Sequence, residues 1–143
     1  MLNEIEYDIQ LKNYALNNMN LKKKNEEFLN SKSPYNISSD TIDFKAYIME
    51  RNKTSIKILA KFTIINEDLK LNIEYIAEYS ASNKIMDGTN DINYISSKLK
   101  PIVFLTLYKY AKQLASDVIS RVTGNNTIFP IYDKRKLNKL NDR

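Results

Sequence analysis

The chain has 143 residues, the length of one domain, and at that size folding removes roughly two thirds of the unfolded surface from water. It contains no His and no Cys, which excludes imidazole bases, thiolate nucleophiles, Cys/His zinc sites, redox pairs and disulfides together. Carboxylates, Lys, Tyr, Ser and Thr remain as the groups with chemistry.

The net charge is +5, and its location matters more than its size. The last eleven residues, "DKRKLNKLNDR", carry five Lys or Arg against two Asp, which leaves only +2 on the preceding 132. A basic tail (133–143) therefore follows a nearly neutral domain (1–132), and nucleic acid is not the expected partner. The abundance of Asn, Ile and Lys matches the codon bias of an AT-rich genome, so Lys frequency by itself signals nothing. No run reaches the roughly 18 to 20 apolar residues of a membrane span, and "MLNEIEYDIQ" is acidic where a signal peptide is basic. These features predict a soluble, cytoplasmic protein.

Period-two alternation dominates the first half of the chain. Ile5, Tyr7, Ile9 and Leu11 alternate with charged and amide residues, and the pattern runs more raggedly through "KNYALNNMNLKK", which predicts a long strand with a bulge near Asn17 and Asn18. The stretch "KKKNEEFLNSKSPYNISSD" has no period and reads as a long connection. A second strand places Ile42, Phe44, Ala46 and Ile48 on one face and ends at the turn "ERNK". The third places Ile56, Ile58, Ala60, Phe62 and Ile64 inward. After "NED" the fourth does the same with Leu71, Ile73, Tyr75, Ala77 and Tyr79. Strands two to four are hairpin neighbours in an antiparallel sheet with one wet face. "SNKIMDGTND" leads out of the sheet, with Gly88 marking a turn.

From about Ile95 the period becomes helical, with Pro101 in the first turn and Gly124 placed to cap the end. At about 100° per residue, Phe104, Leu107, Tyr108, Ala111, Leu114, Ala115, Val118 and Val122 form a stripe that Val103, Tyr110 and Ile119 widen to about 160°. Packing on one sheet needs little more than about 100°. Either Tyr110 and Ile119 sit half exposed, or the helix also meets a second copy of the chain. The predicted fold is α+β, a four-stranded antiparallel sheet packed on one long C-terminal helix.

The segment "YAKQLASDVISR" resembles the helix signature of the SecB-like protein-export chaperones, in which Tyr-Ala-Arg-Glu-Leu-Ile-Ser-Asp-Leu-Val-x-Arg follows a proline and an apolar approach. Tyr110, Ala111, Lys112, Leu114, Ser116, Asp117, Val118, Ile119 and Arg121 fall on that pattern, with Lys112 a conservative departure. The element order is similar too: a long first strand, a crossover, three strands with tight turns, then the helix, over about residues 4 to 130. The resemblance implies a dimer of dimers that holds unfolded clients in apolar grooves without ATP or any cofactor. Members serve export through a translocation motor or protect the antitoxin of a toxin–antitoxin operon.

Two departures stand out. Export members present carboxylates on the sheet, where this chain has Asn17, Asn18, Lys22, Lys23 and Lys24, which argues against motor docking. Behind the helix, "TGNNTIFPIYD" keeps Phe129 and Pro130 of a family loop, but "KRKLNKLNDR" is too short and polar for the family's second helix.

A holding chaperone needs apolar residues outside its own core. The resemblance sets two such groups beside the client groove: Phe28, Leu29, Tyr35 and Ile37 in the crossover, and Ile128, Phe129, Ile131 and Tyr132 after the helix. A second set, Tyr14, Tyr47, Met49, Leu59, Ile65 and Ile76, is expected on the wet sheet face, where assembly would cover it. Tyr14, Leu59, Ile76, Tyr110 and Ile119 are the expected oligomer contacts. Lys57, Lys61, Glu74 and Glu78 read as solvated cross-strand pairs.

Enzyme readings lack a site. Hot-dog thioesterases also wrap an antiparallel sheet on a long helix, but theirs follows the first strand. Glu26 with Glu27, and Glu67 with Asp68, have no partner base, and "MDGTND" has too few ligands for calcium. With two glycines there is no phosphate cradle and no metal set. The expected function is therefore a non-enzymatic, ATP-independent holding chaperone for export substrates or one labile partner such as an antitoxin. The alternative is a SecB-like adaptor that binds one folded partner without holding activity.

Overall fold

The computed structural model describes residues 9–24, 35–52, 54–81 and 92–131, with the backbone alone for 81 and 92–98. Ile5, Tyr7, Phe28, Leu29, Tyr132, the "SNKIMDGTND" segment and the basic tail lie outside the described residues. Strands β1 (Ile9–Lys23), β3 (Ile42–Arg51), β4 (Ser55–Ile65) and β5 (Leu69–Ala81) form an antiparallel sheet in the order β1-β5-β4-β3. Helix α1 (Ile92–Thr123) packs on one face. Two short strands, β2 (Tyr35–Asn36) and β6 (Thr127–Ile128), pair in parallel beside it.

The central strands keep their alternation without a break. Ile56, Ile58, Ala60, Phe62 and Ile64 on β4 and Leu71, Ile73, Tyr75, Ala77 and Tyr79 on β5 are all buried, because an antiparallel sheet with one covered face sorts side chains by parity. Phe44, Phe62 and Phe104 join the layers, with ring centroids 4.8 to 5.7 Å apart. Asparagine side chains close both hairpins. Asn52 Oδ1 accepts from the Thr54 and Ser55 N–H groups, and Asn66 Oδ1 from those of Asp68 and Leu69.

Strand β1 changes phase twice. Its pairing with β5 shifts between Leu11 and Asn13 and again between Leu16 and Asn18. Each extra residue flips the parity of the strand beyond it. Leu11, Tyr14, Leu16, Met19 and Leu21 are therefore all opposite helix-side residues of β5: Tyr79, Ala77, Tyr75, Ile73 and Leu71. The expected bulge near Asn17 is present, but the one beside Lys12 is not announced by the sequence. It corrects the place of Tyr14, which belongs to the helix side and not to the wet face.

The helix begins at Ile92, so Pro101 lies inside it and not in its first turn. An internal proline removes one backbone bond and costs about 3 kcal/mol. Burial of Leu99, Val103, Phe104 and Leu107 around it offsets that cost. Gly124, with φ +76°, ends the helix as expected, its N–H donating to Ser120 O at 2.8 Å.

The buried line of α1 is the row Leu99, Val103, Leu107, Ala111, Ala115, Ile119 and Thr123, with Phe104 beside it. A step of four residues turns about 40° beyond a full circle, so this row winds through about 240° from end to end as it crosses the twisted sheet. Ile119 is thus fully buried in its own protomer, which corrects its assignment as a subunit contact. Tyr110, Leu114, Val118 and Val122 form a parallel row, one residue earlier, that is only half buried. The apolar stripe is two rows.

The crossover is pinned to the β4–β5 turn at both described ends. Tyr35 Oη donates to Asp68 Oδ2 at 2.9 Å, and Asn66 Nδ2 donates to Tyr35 Oη at 3.0 Å. Lys24 Nζ reaches Asn66 O at 3.0 Å and its N–H reaches Asp68 O at 2.7 Å. Tyr35 N–H and Ile37 N–H donate to Asn126 O and Ile128 O, and Tyr108 Oη donates to Pro130 O at 2.7 Å.

Truncation distinguishes the two helix rows. Ile119→Ala is expected to lower unfolding free energy by about 2 to 5 kcal/mol, and the half-exposed Leu114→Ala by clearly less, as measured by urea denaturation. A second expectation concerns alkaline pH. Burial pushes the phenols of Tyr35, Tyr75 and Tyr79 up to about 12, aided at Tyr35 by its bond to Asp68 and opposed at Tyr79 by its 2.5 Å bond to Thr106. Below pH 10 both folded and unfolded states keep these protons. Between pH 10 and about 12 the unfolded chain loses them first, so stability falls as pH rises, and Tyr79→Phe should flatten part of that fall in urea midpoints.

Candidate functional site

The two phase changes in β1 and the second helix row meet in one place. Tyr14, Leu16 and Met19 point to the helix side, yet remain 39%, 48% and 37% exposed because the buried helix row does not cover this edge strand. Between β1 and α1 lies an open groove of about 280 Å³. Leu16 and Tyr75 face Tyr110 and Leu114 across it, and Gln113 and Asp117 add an amide and a carboxylate to its lining. Tyr14 stacks on Tyr110 with ring centroids 4.3 Å apart and meets Tyr75 edge-on at 5.7 Å, so one wall is a fixed aromatic surface. Lys109 Nζ sits 5.0 Å from the Tyr110 ring centroid.

This arrangement suits binding. Burial, with the neighbouring Tyr14 second, pushes the Tyr75 phenol up to about 12, so it stays protonated at neutral pH and donates or accepts hydrogen bonds as a neutral group. Among the described residues no cluster of three His, Cys, Asp or Glu side chains is placed to hold a metal ion.

The expected client residues divide sharply. Tyr35, Ile37 and Phe129 are buried, which corrects the expectation that they are presented to solvent. The β2–β6 pairing turns Tyr35 and Ile37 into the core, and Phe129 closes over Ile42, Phe62 and Ile64 on the far side of the helix. Ile128 and Ile131 are exposed, Ile131 at 78%. Of the expected subunit contacts, Leu59 and Ile76 are directly opposite each other on the wet face, whereas Tyr14 and Tyr110 come together in the groove.

Leu16 and Tyr75 are groove residues that the sequence reading missed as such, and Met19 lies on the same face of β1. The available signal was the apolar series Leu11, Tyr14, Leu16, Met19, Leu21, whose spacing of three, two, three and two residues marks a strand that shifts phase twice.

No family model and no curated protein matches the chain by sequence. Solved structures do match its fold. A protein of unknown function from Streptococcus agalactiae aligns with a TM-score of 0.57 at 11% identity, covering 87% of this chain and 98% of that one. The Mycobacterium tuberculosis Rv1957 SecB-like chaperone, solved with a ChAD peptide from the Rv1956 HigA1 antitoxin, aligns with a TM-score of 0.52 at 13% identity, covering 88% and 92%. The four-stranded sheet and single long helix of this chain form a SecB-like α+β fold.

Proposed function

We propose that the protein is a non-enzymatic, ATP-independent holding chaperone whose β1–α1 groove binds extended apolar segments of unfolded clients. The observation that carries this reading is the groove itself: Tyr14 and Leu16 on β1 and Tyr110 and Leu114 on α1 are left partly open beside the edge strand, while the helix-side residues of β4 and β5 are buried. Soluble proteins seldom leave contiguous apolar surface uncovered without a partner for it. The SecB-like neighbour, which binds a peptide from an antitoxin, supports a client of that kind, a labile protein held through one extended segment. The protein works in the cytoplasm as a homo-oligomer, a dimer of dimers, with no cofactor. No helix among the described residues is long and apolar enough to cross a membrane.

One observation favours the narrower adaptor reading as the second choice. With Tyr35, Ile37 and Phe129 drawn into the core, the free apolar surface is smaller than the sequence leads one to expect, and this suits a single dedicated partner. Lys22, Lys23 and Lys24 at the end of β1 leave no carboxylates there for an export motor, so a dedicated client is also preferred over general export.

Light scattering separates the two readings. At stoichiometric ratio the protein is expected to keep a heat-denatured test enzyme from aggregating, whereas an adaptor leaves it to precipitate. Leu16→Asp with Leu114→Asp should abolish that protection while the melting temperature falls by only a few degrees, both sites being partly solvated. For an unfolded, aromatic-rich peptide measured by fluorescence anisotropy, Tyr110→Ala is expected to raise Kd about tenfold or more, the loss typical of an aromatic contact at the centre of an interface. Unchanged affinity in both variants would remove the groove from the function.

A further inference from the structure

The β1–α1 margin has two chemically different ends. Tyr14, Tyr75 and Tyr110 mark the aromatic one. Toward the other, the helix-side positions of β1 continue through Met19 and Leu21 to Lys23, which is opposite the buried Leu69. On α1, Arg121 follows Leu114 by seven residues, two turns on and within about 20° of its direction, so it stands on the same face in the last turn of the helix. Lys23 and Arg121 are both exposed. Tyr35 links the two chain segments that carry them. Its N–H donates to Asn126 O just beyond the helix, and its Oη donates to the side chain of Asp68, whose backbone O accepts from the Lys24 N–H at the end of β1. Beside Lys23, Lys22 and Lys70 are directly opposite each other, an unfavourable pairing within a sheet. Among the described residues, Lys22, Lys23, Lys70 and Arg121 make no ion pair.

We infer that the segment taken by this margin is an extended peptide of two parts, an aromatic or aliphatic stretch along β1 and a flank of Asp or Glu at the end marked by Lys23 and Arg121. The inference rests on the groove reading above and narrows it to one class of client. An acidic flank supplies the carboxylates that the cations at this end do not find in their own protomer, and complementary charge fixes which way the apolar stretch lies. Asp117, in the lining of the groove, repels a carboxylate from its middle, so the acidic residues belong beyond the apolar stretch and not within it. Tyr14 and Lys23 are opposite Ala77 and Leu69 on β5, which sets the two ends about 26 Å apart at roughly 3.3 Å per residue. An extended segment of about eight residues spans that distance. A nucleic acid would meet the cations but leave the aliphatic wall of Leu16, Met19 and Leu114 unfilled.

Fluorescence anisotropy at low salt tests it, with labelled peptides that share one aromatic and aliphatic core and carry a flank of Asp, Ser or Lys. Each is made with the flank at the N-terminal and at the C-terminal side. In one of the two orders the Asp peptide is expected to bind about tenfold or more tighter than the Ser peptide, and the Lys peptide more weakly than either, with the differences shrinking as salt is added. Lys23→Ser with Arg121→Ser should abolish the preference for Asp. Lys45→Ser with Lys57→Ser, which removes the same charge from exposed sites on the opposite sheet face, should retain it. Single-stranded DNA of comparable charge is expected to bind about tenfold or more weakly than the Asp peptide. Equal affinity for the three flanks in both orders, or an Asp preference that survives the loss of Lys23 and Arg121, would overturn the acidic-flank assignment while the groove reading stands. Binding of the DNA as tight as that of the Asp peptide would overturn it in favour of a polyanion site. If no peptide binds and the test enzyme still aggregates, both readings fail together.

Discussion

A single long helix has to cover a four-stranded sheet, and the way it does so shapes the rest of the molecule. Among the described residues, the helix row that stays buried is the one repeating every four residues, from Leu99 to Thr123, and it winds around the helix as it goes. Small residues, Ala111 and Ala115, sit in the middle of this row and allow close approach, while Leu99, Leu107 and Ile119 fill the ends. Because the helix lies along β3 and β4 at its start, it cannot also close the far edge strand. The β1 margin remains uncovered. The groove is the space left by that geometry, lined with the side chains that the geometry does not consume.

Two features make the open margin tolerable. The bulges in β1 interrupt the regular row of backbone donors and acceptors that an unprotected edge would offer to other chains, which limits indiscriminate strand pairing. The aromatic stack of Tyr14 on Tyr110 ties the edge strand to the helix, so the exposed rings are partly covered by one another. On the other side of the helix the chain is closed firmly. The Asn66–Asp68 turn holds Lys24 and Tyr35, and the β2–β6 pair brings Phe129 down on the core. The two flanks of α1 are thus physically different, one sealed by long-range hydrogen bonds and one left open.

Much of this architecture is legible in the sequence, wherever a residue's surroundings are set by its near neighbours. The alternation identifies the core positions of β4 and those of β5 from Leu71 to Tyr79, missing only the buried Leu69 beside the turn; Asn52 and Asn66 mark the turns they close, and Gly124 marks the helix end. Information carried by distant pairing escapes. Tyr35 and Ile37 look like free apolar loop residues because the strand that buries them lies beyond the helix. Tyr14 looks solvent-facing because the extra residue at Lys12 is defined only against β5. Ile119 looks peripheral on a helical wheel because a wheel projects a winding row onto a circle. The helix start is missed for a local reason: Pro101 carries a strong boundary signal that burial around it overrides.

The most direct test of the central claim, that the β1–α1 margin holds the client, uses the absence of cysteine from the chain. A single Met19→Cys substitution carrying an environment-sensitive fluorophore reports on the groove side of β1, and Ile65→Cys reports on the opposite sheet face as a control. On adding a chemically unfolded protein, the label at position 19 is expected to shift to shorter wavelength and lose access to an aqueous quencher, with no change at position 65. A response at position 65 alone, or none at position 19 under conditions where the client is bound, would contradict it.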